Sequence, residues 1–159
     1  MEIIGYIVSQ EKGTTHGMKC FGVMIWLMLL FVFTCTSSLH QLLEHQTIHF
    51  QLQLDPDFKD LLTVRDAKIT EPSWLLIKSG HFMAFALLNI LLFHLTGDLK
   101  RSLRDSLFIA VLSEILQLYF SRDGRIVDAA IDSLGILFAA IVILALRRDT
   151  GPTSGTNPK

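Results

Sequence analysis

Seven polar side chains sit where a hydrophobic sequence has least room for them. Lys78 and His81 are three apart, Glu114 and Gln117 are three apart, and Arg125, Asp128 and Asp132 stand at i, i+3 and i+7. On a helix, spacings of three, four and seven put side chains on one face, so each group presents its polar atoms together. The types present suggest three kinds of chemistry. Lys78 and Arg125 would hold an anionic group, and Glu114, Gln117 and Asp128 would orient it through charge-assisted hydrogen bonds. His81 is a general acid or base if Asp128 or Glu114 orients it. A proton path through Glu114 and His81 is the third. No serine or cysteine has an evident activating partner, so a covalent mechanism is not favoured.

These residues lie within or beside apolar segments. Half of the 159 residues are apolar, and the mean hydropathy is +0.45, which is more apolar than a soluble domain of this size needs. Four segments carry the excess, from about Cys20 to Thr36, Trp74 to Leu95, Leu107 to Phe120 and Ile126 to Leu146. A bilayer core of ~30 Å takes about 20 helical residues. The third segment is short and holds Glu114 and Gln117, so it crosses only if those side chains face its neighbours. The expected fold class is therefore all-α, with four transmembrane helices and an outer loop between the first and second. The first segment reads as an uncleaved anchor rather than a signal peptide, because no small-x-small cleavage site follows it. Residues 1–19 read as an N-terminal tail, 20–146 as the membrane domain with its loop at 37–73, and 147–159 as a disordered tail.

Lys and Arg orient the segments. Lys100, Arg101 and Arg104 follow the second span, Arg147 and Arg148 close the fourth, and Lys12 and Lys19 precede the first. By the positive-inside rule these flanks belong in the cytoplasm, with both termini inside and residues 37–73 outside a cytoplasmic membrane. Arg122 and Arg125 fall outside on this scheme. In the outer loop, Ile48, Phe50, Leu52 and Leu54 alternate with polar residues, as in a half-buried strand. Phe58, Leu61, Leu62 and Val64 have the rough spacing of a surface-lying amphipathic helix.

With this orientation, the second span starts, the third ends and the fourth starts at the outer face. All seven polar residues then converge at one membrane depth. A lone charge in hydrocarbon costs at least ~2.5 kcal/mol, so such a layer must pair internally or line a wet cavity. Two readings follow. The cluster is a ligand site, or it is a polar clasp that only joins three helices.

Other features point to packing. Asn89 is read as interhelical glue, Gly135 and Ala139 as a small-xxx-small contact, and His94 as an interface residue. Cys20 and Cys35 would lie roughly 22 Å apart along a helix at ~1.5 Å per residue. That is too far for a disulfide within it, and both read as apolar filler. His40, His45 and His49 fit no compact metal motif, so neither a metal nor another cofactor is expected. The formal charge of −1 and the lack of a basic stripe argue against a nucleic-acid partner.

At these residues the chain resembles the VanZ-like family. The family pattern is Lys-x-x-His-Phe, then Glu-x-x-Gln, then Arg-x-x-Asp-x-x-x-Asn-x-x-Gly in successive spans. Here it stands as Lys78 to Phe82, Glu114 to Gln117, and Arg125-x-x-Asp128 running on to Asp132 and Gly135, with Asp132 replacing the usual Asn. The match covers about residues 74–146. The resemblance implies a bacterial membrane protein of a family named for a protein linked to teicoplanin resistance, with no agreed reaction. The leading expectation is a protein whose outer site binds or modifies a membrane lipid, a lipid-linked ligand or a lipoglycopeptide. A hydrolase or transferase acting on a phospholipid or polyprenyl phosphate comes next, and a proton-coupled transporter third. Four spans are few for transport unless the protein oligomerises.

Overall fold

The computed structural model describes residues 2–36, 52–56, 58, 72–120 and 126–149, with backbone alone at 2–14, 72–73 and 149. Four helices account for nearly all of these: α1 (Glu2–Cys35), α2 (Pro72–Thr96), α3 (Leu99–Tyr119) and α4 (Ile126–Asp149). The described residues contain no strand. Three stretches are long and apolar enough to cross a bilayer, namely Thr15–Cys35, Trp74–Thr96 and Ile126–Arg148. At ~1.5 Å per residue each spans a ~30 Å hydrocarbon layer. α3 has comparable length in its 21 residues but begins on the charged stretch that holds Lys100, Arg101, Arg104 and Asp105. Its polar residues turn inward instead: Ser102, Ser106, Ser113, Glu114 and Gln117 are all buried. The described residues thus form an all-helical membrane fold of four helices, three of them long and apolar enough to span.

Three boundaries differ from the sequence reading. α1 starts at Glu2, so the segment read as a tail is continuous with the first span. The basic stretch after the second span is not a loop but the first two turns of α3. Only Gly97 and Asp98 separate the two helices, and both are suited to the turn. Gly97 takes φ +70°, a left-handed conformation that glycine adopts without steric cost. Asp98 caps α3, its carboxylate accepting from the backbone N–H groups of Lys100 and Arg101. At its far end, α4 runs through Arg147 and Arg148 to Asp149. Arg147 donates to the Gly97 carbonyl at 3.1 Å and stacks on Phe93 at 4.4 Å, which ties the end of α4 to the α2–α3 turn.

The short α2–α3 turn makes those helices antiparallel, and α4 returns parallel to α2. α2 and α4 share the most extensive contact in the bundle. Val23, Phe85, Leu88, Leu92, Ala110 and Ile136 form the core, with one or more residues from each helix. Asn89 acts as the expected glue, donating to the Ile136 carbonyl at 3.1 Å and accepting from Ser106 Oγ at 3.4 Å. Trp26 of α1 donates its indole N–H to the Ala84 carbonyl of α2 at 3.1 Å.

The outer-loop readings fall mostly outside the described residues, including the amphipathic helix and His40, His45 and His49. Where Leu52 and Leu54 are described, they are 61% and 85% exposed rather than half-buried. This short stretch is pinned to the end of α3, where Gln53 N–H donates to the Tyr119 carbonyl at 2.8 Å and Phe58 meets the Tyr119 ring edge-on. The 150–159 tail also lies outside the described residues.

Candidate functional site

The same end of the bundle collects the start of α2, the end of α3 and the start of α4, and six of the seven singled-out side chains meet there. Arg125 lies outside the described residues. The other six form a ladder between the parallel helices α2 and α4, closed on one side by α3. Lys78 Nζ pairs with Asp128 Oδ1. His81 Nδ1 lies 3.1 Å from Asp132 Oδ1. Gln117 Nε2 donates to Glu114 Oε1 at 3.2 Å. Each of the two α2 residues thus meets an α4 carboxylate about one turn below the last, as parallel helices in register require.

Burial is nearly complete on the acidic side. Glu114, Gln117, Asp128 and Asp132 are at most 4% exposed, while the side chains of Lys78 and His81 keep 16% and 17%. One pairing departs from expectation. The carboxylate that holds His81 is Asp132, not Asp128 or Glu114; Asp128 is taken up by Lys78. The spacing is why: residues 78 and 81 on α2 can match 128 and 132 on α4 in one rotational setting, and a single helical sequence does not reveal that setting.

Gly135 fixes the setting. A Cβ there would fall 2.1 Å from the Phe82 carbonyl oxygen, so only glycine lets the α4 backbone approach α2 so closely. The expected small-residue contact therefore holds at Gly135, three residues on from Asp132 of the second rung.

Beside the ladder lies a groove of about 600 Å³ walled by α1, α2 and α4. Trp26, Leu30 and Phe33 line it from α1, Gly80 and Ala84 from α2, and Phe138 from α4. Its walls are almost wholly apolar. His81, Gln117 and Thr34 are the polar side chains that reach it. Thr34 and the α1 wall were not legible as site residues, because an uninterrupted apolar helix carries no mark of which face meets a ligand.

Two further observations bear on chemistry. The ligand atoms of His81, Glu114 and Asp132, one residue from each of α2, α3 and α4, all lie within 4.8 Å of one another, so these three could hold a metal ion. Asp132 Oδ2 is buried without a hydrogen-bond partner among the described residues.

Together these features define a helical membrane protein with a polar cluster set into its bundle beside an apolar groove. The comparisons agree with that class. The VanZ/LLP1 family model matches residues 20–147, and the chain belongs to this family. It is 35% identical over 124 residues to an uncharacterized membrane protein, YwnJ, of Bacillus subtilis (strain 168), covering 77% of this chain and 89% of the relative. No solved structure matches the chain.

Proposed function

We propose that the protein binds an envelope lipid or a lipid-linked ligand, with the polar head at the cluster and the apolar chain in the groove. The observation that carries this reading is the groove itself. It is roughly 600 Å³ of apolar-walled space with polar side chains, His81 and Gln117, reaching it from the cluster. Pockets of ~300–1,000 Å³ with few, converging polar groups are the usual form of a small-ligand site. A pure clasp has no need of the space. Lys78, His81, Glu114, Gln117, Arg125, Asp128 and Asp132 are the residues assigned to the head group.

The reading places this site toward the outer face of a cytoplasmic membrane, with both termini inside. Lys100, Arg101, Arg104, Arg147 and Arg148 support it, since they gather at the end of the bundle opposite the cluster. A ligand of this class at an outward site would bring the protein within reach of lipoglycopeptide susceptibility.

A second reading, a hydrolase or transferase acting on a lipid phosphate, is favoured by one specific contact. His81 is oriented by Asp132 and also lines the groove, the arrangement a general acid or base requires.

The test is native mass spectrometry of the detergent-purified protein beside Gly80→Leu. A Cβ at Gly80 meets nothing within 4 Å, so a leucine can occupy the groove without a backbone clash. A lipid retained by the wild type and lost from the folded variant is expected. Equal retention, or none by either protein, would overturn the reading.

A further inference from the structure

The buried end of the ladder has a feature that lipid binding does not explain. Asp132 is fully buried, and its Oδ2 has no hydrogen-bond partner among the described residues. Buried polar atoms are nearly always satisfied, because leaving one bare costs a substantial part of its desolvation energy. Beside it stand two further groups with lone pairs, and the ligand atoms of His81, Glu114 and Asp132 fall within 4.8 Å of one another.

We propose that His81, Glu114 and Asp132 form a binding site for one divalent transition-metal ion of the Zn²⁺ or Mn²⁺ kind. Bonds of ~2.1 Å in a tetrahedral shell put neighbouring ligand atoms about 3.4 Å apart. His81 Nδ1 and Asp132 Oδ1 already stand 3.1 Å apart, close to one such edge. All three ligand atoms already lie within 4.8 Å, so the Glu114 carboxylate has to draw in by no more than about 1.4 Å to reach that spacing. The donor set decides the ion. One imidazole nitrogen with two carboxylates suits a borderline cation, whereas an all-oxygen shell would suit Mg²⁺ or Ca²⁺ and thiolates would suit Cu⁺.

The surroundings complete the case. Gln117 Nε2 holds Glu114 Oε1 at 3.2 Å, a supporting hydrogen bond of the kind that orients a ligating carboxylate. Lys78, the nearest described ammonium, is held by Asp128 one turn away. A metal needs a bare Nδ1 on His81, so any proton held between that nitrogen and Asp132 leaves to solvent as the cation enters. Three protein ligands leave a coordination position open. His81 lines the groove, so on the lipid-binding reading that position would meet an anionic head group. The ion site itself does not depend on that reading.

The experiment uses full-length protein purified in detergent without a polyhistidine tag, stripped with EDTA and desalted. It is then loaded with Zn²⁺, Mn²⁺ or Co²⁺ and desalted again before metal analysis and visible spectroscopy. About one retained ion per chain is expected, with Co²⁺ d–d bands of a low-coordinate nitrogen and oxygen shell. Asp132→Asn and His81→Gln should each lose the ion, while Arg104→Gln with Asp105→Asn, an exposed pair on α3 away from the cluster, keeps it. Should either ligand variant fail to fold, the wild-type Co²⁺ spectrum still decides. Its absence, or equal retention by the wild type and a folded ligand variant, overturns the proposal. So does metal that is lost only when His40, His45 and His49 are changed to Gln. Lipid retention is measured on the stripped protein, so a lipid without an ion rejects this site alone.

Discussion

Gly135 lies against the Phe82 carbonyl so closely that a β-carbon on it would stand 2.1 Å from the oxygen. This contact sets the separation of α2 and α4, and both rungs of the polar ladder depend on it. Lys78–Asp128 and His81–Asp132 bridge the same pair of helices within three turns of that point.

Gly135→Ala should therefore separate the two helices. Overpacking of this kind costs about 1–3 kcal/mol, and the melting temperature in detergent should fall. Gly80→Ala on the neighbouring helix is the control, because a Cβ there meets nothing within 4 Å. It should be neutral or gain up to ~1 kcal/mol from better helix propensity. Equal effects from the two changes would mean that the close approach is not what positions the ladder.

Lys78 and Asp128 form a largely buried ion pair. Removing one partner leaves a charge in a poorly hydrated layer, at a cost of roughly 3–5 kcal/mol. Lys78→Met and Asp128→Leu should each destabilise the protein, and the double change should recover much of the loss. A double-mutant cycle reads the coupling, expected at about 3 kcal/mol or more, because each single change leaves the other charge bare. Additive losses would show that the two charges do not support one another.

Glu114→Gln separates a ligand site from a clasp. If the cluster only joins helices, the change lowers stability, and any envelope phenotype tracks the abundance of the protein. If it is a site, the melting temperature changes little while lipid retention or lipoglycopeptide susceptibility is lost. Asp132→Asn keeps a hydrogen-bonding partner for His81 and should leave the stability within about 1 kcal/mol of wild type. Unfolding by both changes would favour the clasp.

The orientation has its own test. A reporter that is active only outside the cytoplasm, fused after Lys159, should stay silent, and a cysteine placed at the start of α3 should resist membrane-impermeant labelling. Strong reporter activity would invert the topology and put the cluster on the inner face.

The chain alone determined the fold class and which polar residues gather at one end of the bundle. Runs such as Trp74 to Leu95 exclude water-facing structure by composition, and backbone hydrogen bonding in lipid leaves helix as the form they take. Spacings of three and four then show which polar residues share a face within one helix, which is how Lys78 and His81, or Asp128 and Asp132, could be grouped.

Partner choice was decided only in three dimensions. The rotation and offset of α4 against α2 are set by the Gly135–Phe82 contact, and that gave His81 to Asp132 and Lys78 to Asp128. The start of α3 was hidden for a related reason. Its first turns are charged, and only the Asp98 cap and the inward serines make them helix rather than loop. The groove was also invisible in the sequence, because apolar side chains facing a cavity and those facing lipid have the same composition. Their difference lies in what the neighbouring helix leaves uncovered.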